Sequence, residues 1–382
     1  MRTCALKRLT AVLTAVLTAS GIGASGYAIA STQPGAGGHD GLTAGHVVGG
    51  PELAQPGVIV NYPSRHAPRI PKIRAGAFVI ADATTGQVLA AKKPHARYGP
   101  ASTLKILTAI ALIPVLNPNA TVTASKRAVS VEPDIVGLKR GHRYKIADLF
   151  RALLLISGND AAIALAEATG SFGRGIALMN AEARHLQAYD TTAKQPNGLD
   201  EPGQFVSAYD QALIARQALR TPAFLKYDRM LQAWFPITAR HRIQLFNQDR
   251  LLTEYRGFIG GKTGWTTPAK ATYVGMARRH GHTLIVTLLH AVPGTTFASA
   301  TKLLNWGFRM DGQVRPVGWL VSPLPSASSA RPNAAATTRK TTGRMQAGLP
   351  GGISVPLTAG CLAVAALALG AYRIARRRRA PR

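Results

Sequence analysis

Tyr98-Gly99-Pro100-Ala101-Ser102-Thr103-Leu104-Lys105 runs directly into Ile106-Leu107-Thr108-Ala109-Ile110-Ala111-Leu112-Ile113. Gly99 and Pro100 break whatever precedes them, and an apolar run with helical spacing starts at once. A helix beginning near Ser102 puts Lys105 one turn on, on the same face, where hydroxyl and ammonium can meet. A serine hydroxyl is a poor nucleophile until a base takes its proton. A lysine whose pKa is lowered by burial and by other cations can be that base. The helix N-terminus adds a positive potential and free N–H groups near an attacked carbonyl. The spacing alone decides nothing, because Ser299-Ala300-Thr301-Lys302 repeats it. Context has to choose between the two copies.

Upstream of this stretch, Ala77 to Asp82 and Gln87 to Ala91 read as a strand pair around the turn Thr84-Thr85-Gly86. Downstream, the helix of Ser102 stops near Pro114, and 121–145 reads as short strands and turns. Ile146 to Leu155 is apolar and helical, Ser157-Gly158-Asn159-Asp160 interrupts it, and Ala161 to Ala168 is an alanine-rich helix. Met179 to Leu186 and Tyr209 to Leu219 are further helical patterns, separated by the turn Pro196-Asn197-Gly198-Leu199-Asp200. The period then changes from about 3.6 to 2. Gly260-Gly261-Lys262-Thr263-Gly264-Trp265-Thr266 opens a strand region, and Thr272 to Ala277 and Thr283 to Ala291 alternate as antiparallel strands. Phe297 to Phe308 is a last amphipathic helix. A helix-rich middle with strands at both ends predicts an α+β domain over 73–321, with both ends contributing to one antiparallel sheet flanked by helices.

Three polar islands sit in these apolar surroundings: Ser102/Lys105, Ser157/Asn159 and Lys262/Thr263/Gly264. Singly, the second reads as a capped helix break and the third as a strand-to-turn transition. Together and in this order they match the S-x-x-K, S-x-N and K-T-G set of penicillin-binding proteins and serine β-lactamases. Over roughly residues 75–310 the chain resembles a low-molecular-mass penicillin-binding protein, a serine-type D-alanyl-D-alanine carboxypeptidase. The likeness extends to Asp82 with Thr85-Gly86, Asn197-Gly198-Leu199-Asp200, Ser207-Ala208-Tyr209-Asp210 and Leu303-Leu304-Asn305-Trp306-Gly307-Phe308.

The resemblance implies an acyl-enzyme mechanism that releases the terminal D-alanine of a peptidoglycan pentapeptide and is blocked by β-lactam antibiotics. Ser102 would be the nucleophile and Lys105 its base. Ser157 would relay a proton to the leaving amine, and Asn159 would hold Lys105 and the substrate amide. Lys262 would add positive potential, and the Thr263 hydroxyl would bind the terminal carboxylate. Gly264 completes that motif, and the backbone N–H groups of Ser102 and Trp265 would form an oxyanion hole. Two positions depart from the family pattern: Lys270 follows Ala269 where glycine is usual, and Pro293-Gly294-Thr295-Thr296 stands where some members offer an arginine.

Rival readings share the fold or abandon the chemistry. A class A β-lactamase needs a deacylating glutamate between the second and third motifs. Glu167 and Glu182 fall within helical patterns, and Glu201 sits in a loop without the accompanying sequence. A D,D-endopeptidase would carry the same motifs. A silent wall-binding protein would not need Ser102, Lys105 and Lys262 intact. A Ser-His-Asp hydrolase would show G-x-S-x-G, which is absent. No H-E-x-x-H or C-x-x-C spacing suggests a metal, and no cofactor motif appears.

The outer segments predict export and anchoring. Residues 1–30 read as a signal peptide, with Arg2, Lys7 and Arg8 before an apolar stretch and Ala28-Ile29-Ala30 as a cleavage site; an uncleaved anchor is the alternative. Residues 31–72 are Gly/Pro-rich, a linker or loosely held arm, and 322–350 read as a flexible stalk. Residues 351–372 are uncharged and long enough to span a bilayer, and the basic tail 373–382 follows. Cys4 and Cys361 lie in the signal and the span, so neither can crosslink the domain. The formal net charge is +29, and outside the terminal segments basic residues still exceed acidic ones. That surplus suits a polyanionic wall or an anionic lipid surface, or is simply a solvated basic face; no nucleic-acid-binding motif appears. The expected product is a single-pass protein of the bacterial cell membrane with its catalytic domain outside. By the positive-inside rule the C-terminus is cytoplasmic. Protease added to intact spheroplasts should therefore remove the Ser102-bearing domain, and full protection of Ser102-containing peptides would refute this topology.

Overall fold

The computed structural model describes residues 47–325, and among these no helix is long and apolar enough to cross a membrane. The expected signal, membrane span, basic tail and most of the stalk lie outside the described residues.

In chain order, β1 (Val58–Ile59), β2 (Ala75–Asp82) and β3 (Gln87–Lys92) come first. A 3-10 turn, Ala101–Leu104, then opens α1 (Lys105–Leu112). The middle carries β4 (Thr121–Thr123), α2 (Lys126–Val129), β5 (Arg143–Lys145) and α3 (Ile146–Leu155). Next are α4 (Asn159–Glu167), α5 (Phe172–His185), α6 (Ala208–Leu219) and α7 (Pro222–Asp228). The hairpin β6 (Gln232–Thr238) and β7 (His241–Phe246) and the short α8 (Leu251–Glu254) lead to β8 (Phe258–Thr266). Then follow β9 (Lys270–Arg279), β10 (His282–Ala291), α9 (Thr296–Met310) and β11 (Gly318–Trp319).

The main sheet is antiparallel in the order β1-β3-β2-β10-β9-β8, with β11 added to β3. Val79 of β2 lies opposite Thr287 of β10, so strands from both ends of the domain share one sheet, as the sequence implies. Its central strands are apolar on both faces because both faces are buried. Ala77, Val79 and Ala81 of β2 face a core shared with Leu107 of α1, Leu153 of α3 and Ile214 of α6. Phe78 and Ile80 face a second core with Leu303, Leu304 and Trp306 of α9. The result is an α+β sandwich whose edge strand β8 borders the helical part.

The structure departs from the sequence reading at both edges of the domain. Residues 47–72, expected within a linker or loosely held arm, are packed. Val58 pairs with Lys92, Leu53 and Ile59 are buried, and the Trp306 indole donates to the Pro68 carbonyl at 2.9 Å. Only isolated residues anchor this segment, so it shows no periodicity. At the other edge, Leu324 N donates to the His185 carbonyl at 2.8 Å, inside the segment expected as stalk. The β6–β7 hairpin was also hidden, because Pro236 argues against a strand and Trp234 and Phe246 lie exposed. If the N-terminal segment belongs to the core, Leu53→Ala should lower unfolding free energy by about 2–5 kcal/mol. Denaturant unfolding would measure it, and a change within about 0.5 kcal/mol, typical of surface sites, would return the segment to an arm.

Candidate active site

Ser102 does not start an α-helix; it lies in the 3-10 turn preceding α1. That turn has three residues per revolution, so positions three apart eclipse. Lys105 therefore stands over Ser102, with Nζ 2.8 Å from Oγ. The turn is clamped at several points. Ala101 has φ +45°, a left-handed conformation unusual for alanine, and the Thr272 hydroxyl donates to the Pro100 carbonyl at 2.9 Å. Gly198 presses on the same turn: with φ +83°, any Cβ there would lie 1.9 Å from the Ala101 carbonyl oxygen. The second S-x-x-K copy is ordinary helix, with Ser299 buried in the first turn of α9 and Lys302 exposed.

The three islands converge. Lys105 is fully buried, and its Nζ also meets Asn159 Oδ1 at 2.7 Å, Ser157 Oγ at 3.2 Å and the Asn197 carbonyl at 2.9 Å. Ser157 reaches it from a backbone with φ +65° between α3 and α4. Asn159 opens α4, and both hydrogens of its amide are taken by the carbonyls of Glu132 and Pro133. The side chain thereby joins Lys105 to the 132–133 loop. Asp160 fixes the adjoining chain by accepting from the N–H groups of Val136, Gly137 and Leu138.

Strand β8 forms the opposite wall. Gly264 is there because nothing larger fits: a Cβ would sit 2.6 Å from Ser102 N and 2.5 Å from Thr272 Oγ1. This close approach sets the backbone N–H of Ser102 beside the strand. Thr263 is half-buried and Trp265 is 59% exposed. Lys262 is buried, with Nζ donating to the Thr263 carbonyl at 2.9 Å.

Burial holds the Lys105 ammonium well below its usual pKa, and the charge of Lys262 pushes it further down. Lys262 is itself pushed down to about 8, chiefly by burial, against the opposing pull of Asp228, Asp249 and Asp134. Burial raises Asp249 to about 6, and raises Asp228 well above the carboxylate range with help from Asp249. The site therefore couples a lysine poised to be neutral with a second that is partly compensated from behind.

None of the three glutamates considered as β-lactamase bases bonds to Ser102 or Lys105. Glu167 closes α4, Glu182 pairs with His185 at 3.1 Å, and Glu201 is exposed. Among the described residues, Asp82, His282 and Asp311 gather ligand atoms within 4.8 Å, on elements other than those of the three islands. There His282 Nδ1 lies 3.0 Å from an oxygen of each carboxylate, which accounts for the cluster without an ion. The Asn197 carbonyl was missed as a site group. Its signal was the turn Asn197-Gly198-Leu199-Asp200, but a backbone oxygen leaves no side-chain signature.

A family model described as D-alanyl-D-alanine carboxypeptidase, peptidase family S11, matches residues 64–292. The chain belongs to this family. It is 38% identical over 250 residues to D-alanyl-D-alanine carboxypeptidase DacB2 of Mycobacterium tuberculosis, covering 64% of this chain and 86% of that one. To DacF of Bacillus subtilis it is 30% identical, and it spans 61% of that relative's length. A crystal structure of a D-alanyl-D-alanine carboxypeptidase from Mycobacterium tuberculosis superposes with TM-score 0.65 and 36% identity, covering 68% of this chain and 99% of that one. A mutant of the Streptomyces K15 DD-transpeptidase gives TM-score 0.59 at 28% identity, covering 63% and 99%.

The charge coupling has a measurable consequence. A base must be neutral, so acylation is lost as pH falls through the lowered pKa of Lys105. Replacing Lys262 by a neutral residue removes a repulsion and lets that pKa rise. In Lys262→Gln, the acid limb of the pH profile for penicillin acylation should move to higher pH, besides any drop in amplitude. A limb that stays or moves to lower pH would show that Lys262 does not tune the base.

Proposed function

We propose that this protein removes the terminal D-alanine from peptidoglycan stem pentapeptides through an ester on Ser102, and that penicillins acylate the same serine. The observation that carries the reading is the buried Lys105 amine, 2.8 Å from Ser102 Oγ and held by three acceptors from two other segments. The neutral amine takes the hydroxyl proton as Oγ attacks the carbonyl of the penultimate D-alanine. The oxyanion is met by the backbone N–H groups of Ser102 and Trp265, beside Gly264. As the tetrahedral intermediate collapses, the proton passes from Lys105 by way of the Ser157 hydroxyl to the leaving nitrogen, and D-alanine departs. Water, deprotonated by Lys105, then opens the ester and restores Ser102. Lys262 supplies positive potential and the Thr263 hydroxyl a donor for the substrate carboxylate; Asn159 keeps Lys105 in place. The reading includes an extracytoplasmic catalytic domain anchored through 351–372, supported by the pattern of charges around that segment.

Deacylation separates this activity from a β-lactamase. After peptide acylation D-alanine leaves room for water beside Lys105; after penicillin acylation the leaving amine stays tethered. Among the described residues no carboxylate bonds to Ser102 Oγ or Lys105 Nζ, so hydrolysis of the penicilloyl ester should be slow. A barrier higher by about 4 kcal/mol slows it roughly a thousandfold. The full-length protein should release D-alanine rapidly from a D-Ala-D-Ala peptide while its penicilloyl adduct, followed by mass spectrometry, persists for minutes or longer. Ser102→Ala should abolish the adduct and Ser299→Ala should leave it intact. Fast penicillin turnover without D-alanine release, or an adduct on Ser299, would sink the assignment.

A further inference from the structure

At the other end of the sheet from Ser102, a cavity of about 490 Å3 opens between α6, α7 and the start of β8. Arg216 and Arg220 reach it from the end of α6, Arg229 from just after α7, and Arg278 from β9. No aspartate or glutamate is among the residues lining it, and Leu219, Leu225, Phe258 and Ile259 give it apolar walls. Arg216 is pinned in place: its Nε donates to the Ala83 carbonyl at 3.0 Å and its Nη1 to the Leu320 carbonyl at 2.7 Å. Its basicity is lowered by burial and then by the charge of Arg220, so the guanidinium groups crowd one another. The carboxylate of Asp82 offsets part of this charge, but its oxygens already accept from Thr84 N, Thr85 Oγ1 and His282 Nδ1 at 2.8, 2.9 and 3.0 Å.

Arg220 and Arg229 each follow a helix, where a cation suits the negative end of the helix dipole. That explains a basic residue at each position singly. It does not explain why both converge with Arg216 and Arg278 on one cavity that lacks an acid. Like charges gathered in a cleft raise the local potential and call for an anion. Guanidinium forks match phosphate oxygens in paired hydrogen bonds, which a lysine cannot do. A bare phosphate would leave the apolar walls without a partner.

We propose that this cavity binds a phosphate ester, with the phosphate on the arginines and its organic part on the apolar walls. The source is either the headgroup of an anionic lipid or a phosphodiester unit of an anionic polymer. Gly257 lines the cavity and Gly264 abuts Ser102; seven residue steps of about 3.3 Å set them up to roughly 23 Å apart. Occupancy is therefore independent of the acylation chemistry, and the proposal stands or falls apart from the carboxypeptidase reading.

Isothermal titration calorimetry on the full-length protein in neutral detergent tests it with two probes, a glycerol-phosphate oligomer and dihexanoyl phosphatidylglycerol. Dihexanoyl phosphatidylcholine, whose phosphodiester is neutralised by its own ammonium, is the zwitterionic reference and should bind more weakly than the phosphatidylglycerol. At least one probe should bind, more weakly as salt rises. The double variant Arg220→Ser/Arg229→Ser should weaken binding tenfold or more while leaving penicillin acylation unchanged. The charge-matched pair Lys302→Ser/Arg309→Ser, on exposed positions of α9, should bind like the parent. Binding of the oligomer alone assigns the polymer source, and binding of the lipid alone assigns the headgroup. The proposal is overturned if neither probe binds, if the arginine variant binds as the parent does, or if the α9 pair weakens binding equally.

Discussion

The structure depends on keeping one lysine amine dry. Lys105 has no exposed surface, and a charged ammonium removed from water is costly unless every proton finds an acceptor. Four oxygens surround Nζ, and two of them, Asn159 Oδ1 and the Asn197 carbonyl, can only accept. The neutral amine fits this arrangement well. Its two N–H groups go to the obligatory acceptors, leaving its lone pair for the Ser102 hydroxyl, while the Ser157 hydroxyl rotates to suit. The protonated amine has three N–H groups for the same four oxygens and no lone pair for Ser102. Burial and then the charge of Lys262 push toward the neutral amine, against the pull of Asp134 and Asp160, and only that neutral form has a lone pair to serve as a base at the serine.

That arrangement needs three separate segments, 102–105, 157–159 and the loop of Asn197, held together, and the sheet does the holding. Because β9, β10 and β2 are buried on both faces, the edge strand β8 rests on a rigid body. Gly264 can then be set against Ser102 N at a spacing no side chain would tolerate. The same burial creates the electrostatic problem of Lys262, a cation with 2% exposure beside a second lysine. Asp228 and Asp249 answer it from behind the strand. They lie far enough inside to be raised themselves, so they soften the charge of Lys262 without cancelling the potential in front of it.

What was legible in the sequence follows from which atoms do the chemistry. Ser102, Lys105, Ser157, Asn159 and Lys262 act through side chains, so residue type and order exposed them, and the apolar runs around them fixed the element types. The Asn197 carbonyl acts through the backbone, and any residue can carry one. The destination of the Asn159 amide hydrogens was equally invisible, since the Glu132 and Pro133 carbonyls belong to a loop without periodicity. Ser102 reads as α-helical in the sequence because 3-10 and α turns share their apolar spacing over four residues. The segment at 47–72 is not legible as packed structure, because two buried side chains and a two-residue strand leave no repeating pattern.

Backbone strain shows where such packing is being used. Ala101, Asp134, Ser157 and Lys270 all have φ between +45° and +65°, a region that costs a non-glycine residue on the order of 1–3 kcal/mol. Ala101 precedes the nucleophile, Ser157 bonds Lys105, Asp134 accepts from Asn159 N, and Lys270 follows the turn closing β8. The other positive-φ non-glycine residues are not part of this cluster. Lys270 is informative, because glycine would relieve the strain there and is the residue usual in the resembling family. The chain tolerates lysine because its neighbour Ala269 donates to Thr266 Oγ1, and Thr266 in turn donates to Asp200 at 2.9 Å. That bond ties the β8–β9 turn to the loop of Asn197, whose carbonyl holds Lys105. A conformation unfavourable at one residue is thereby supported through the contacts that position the base.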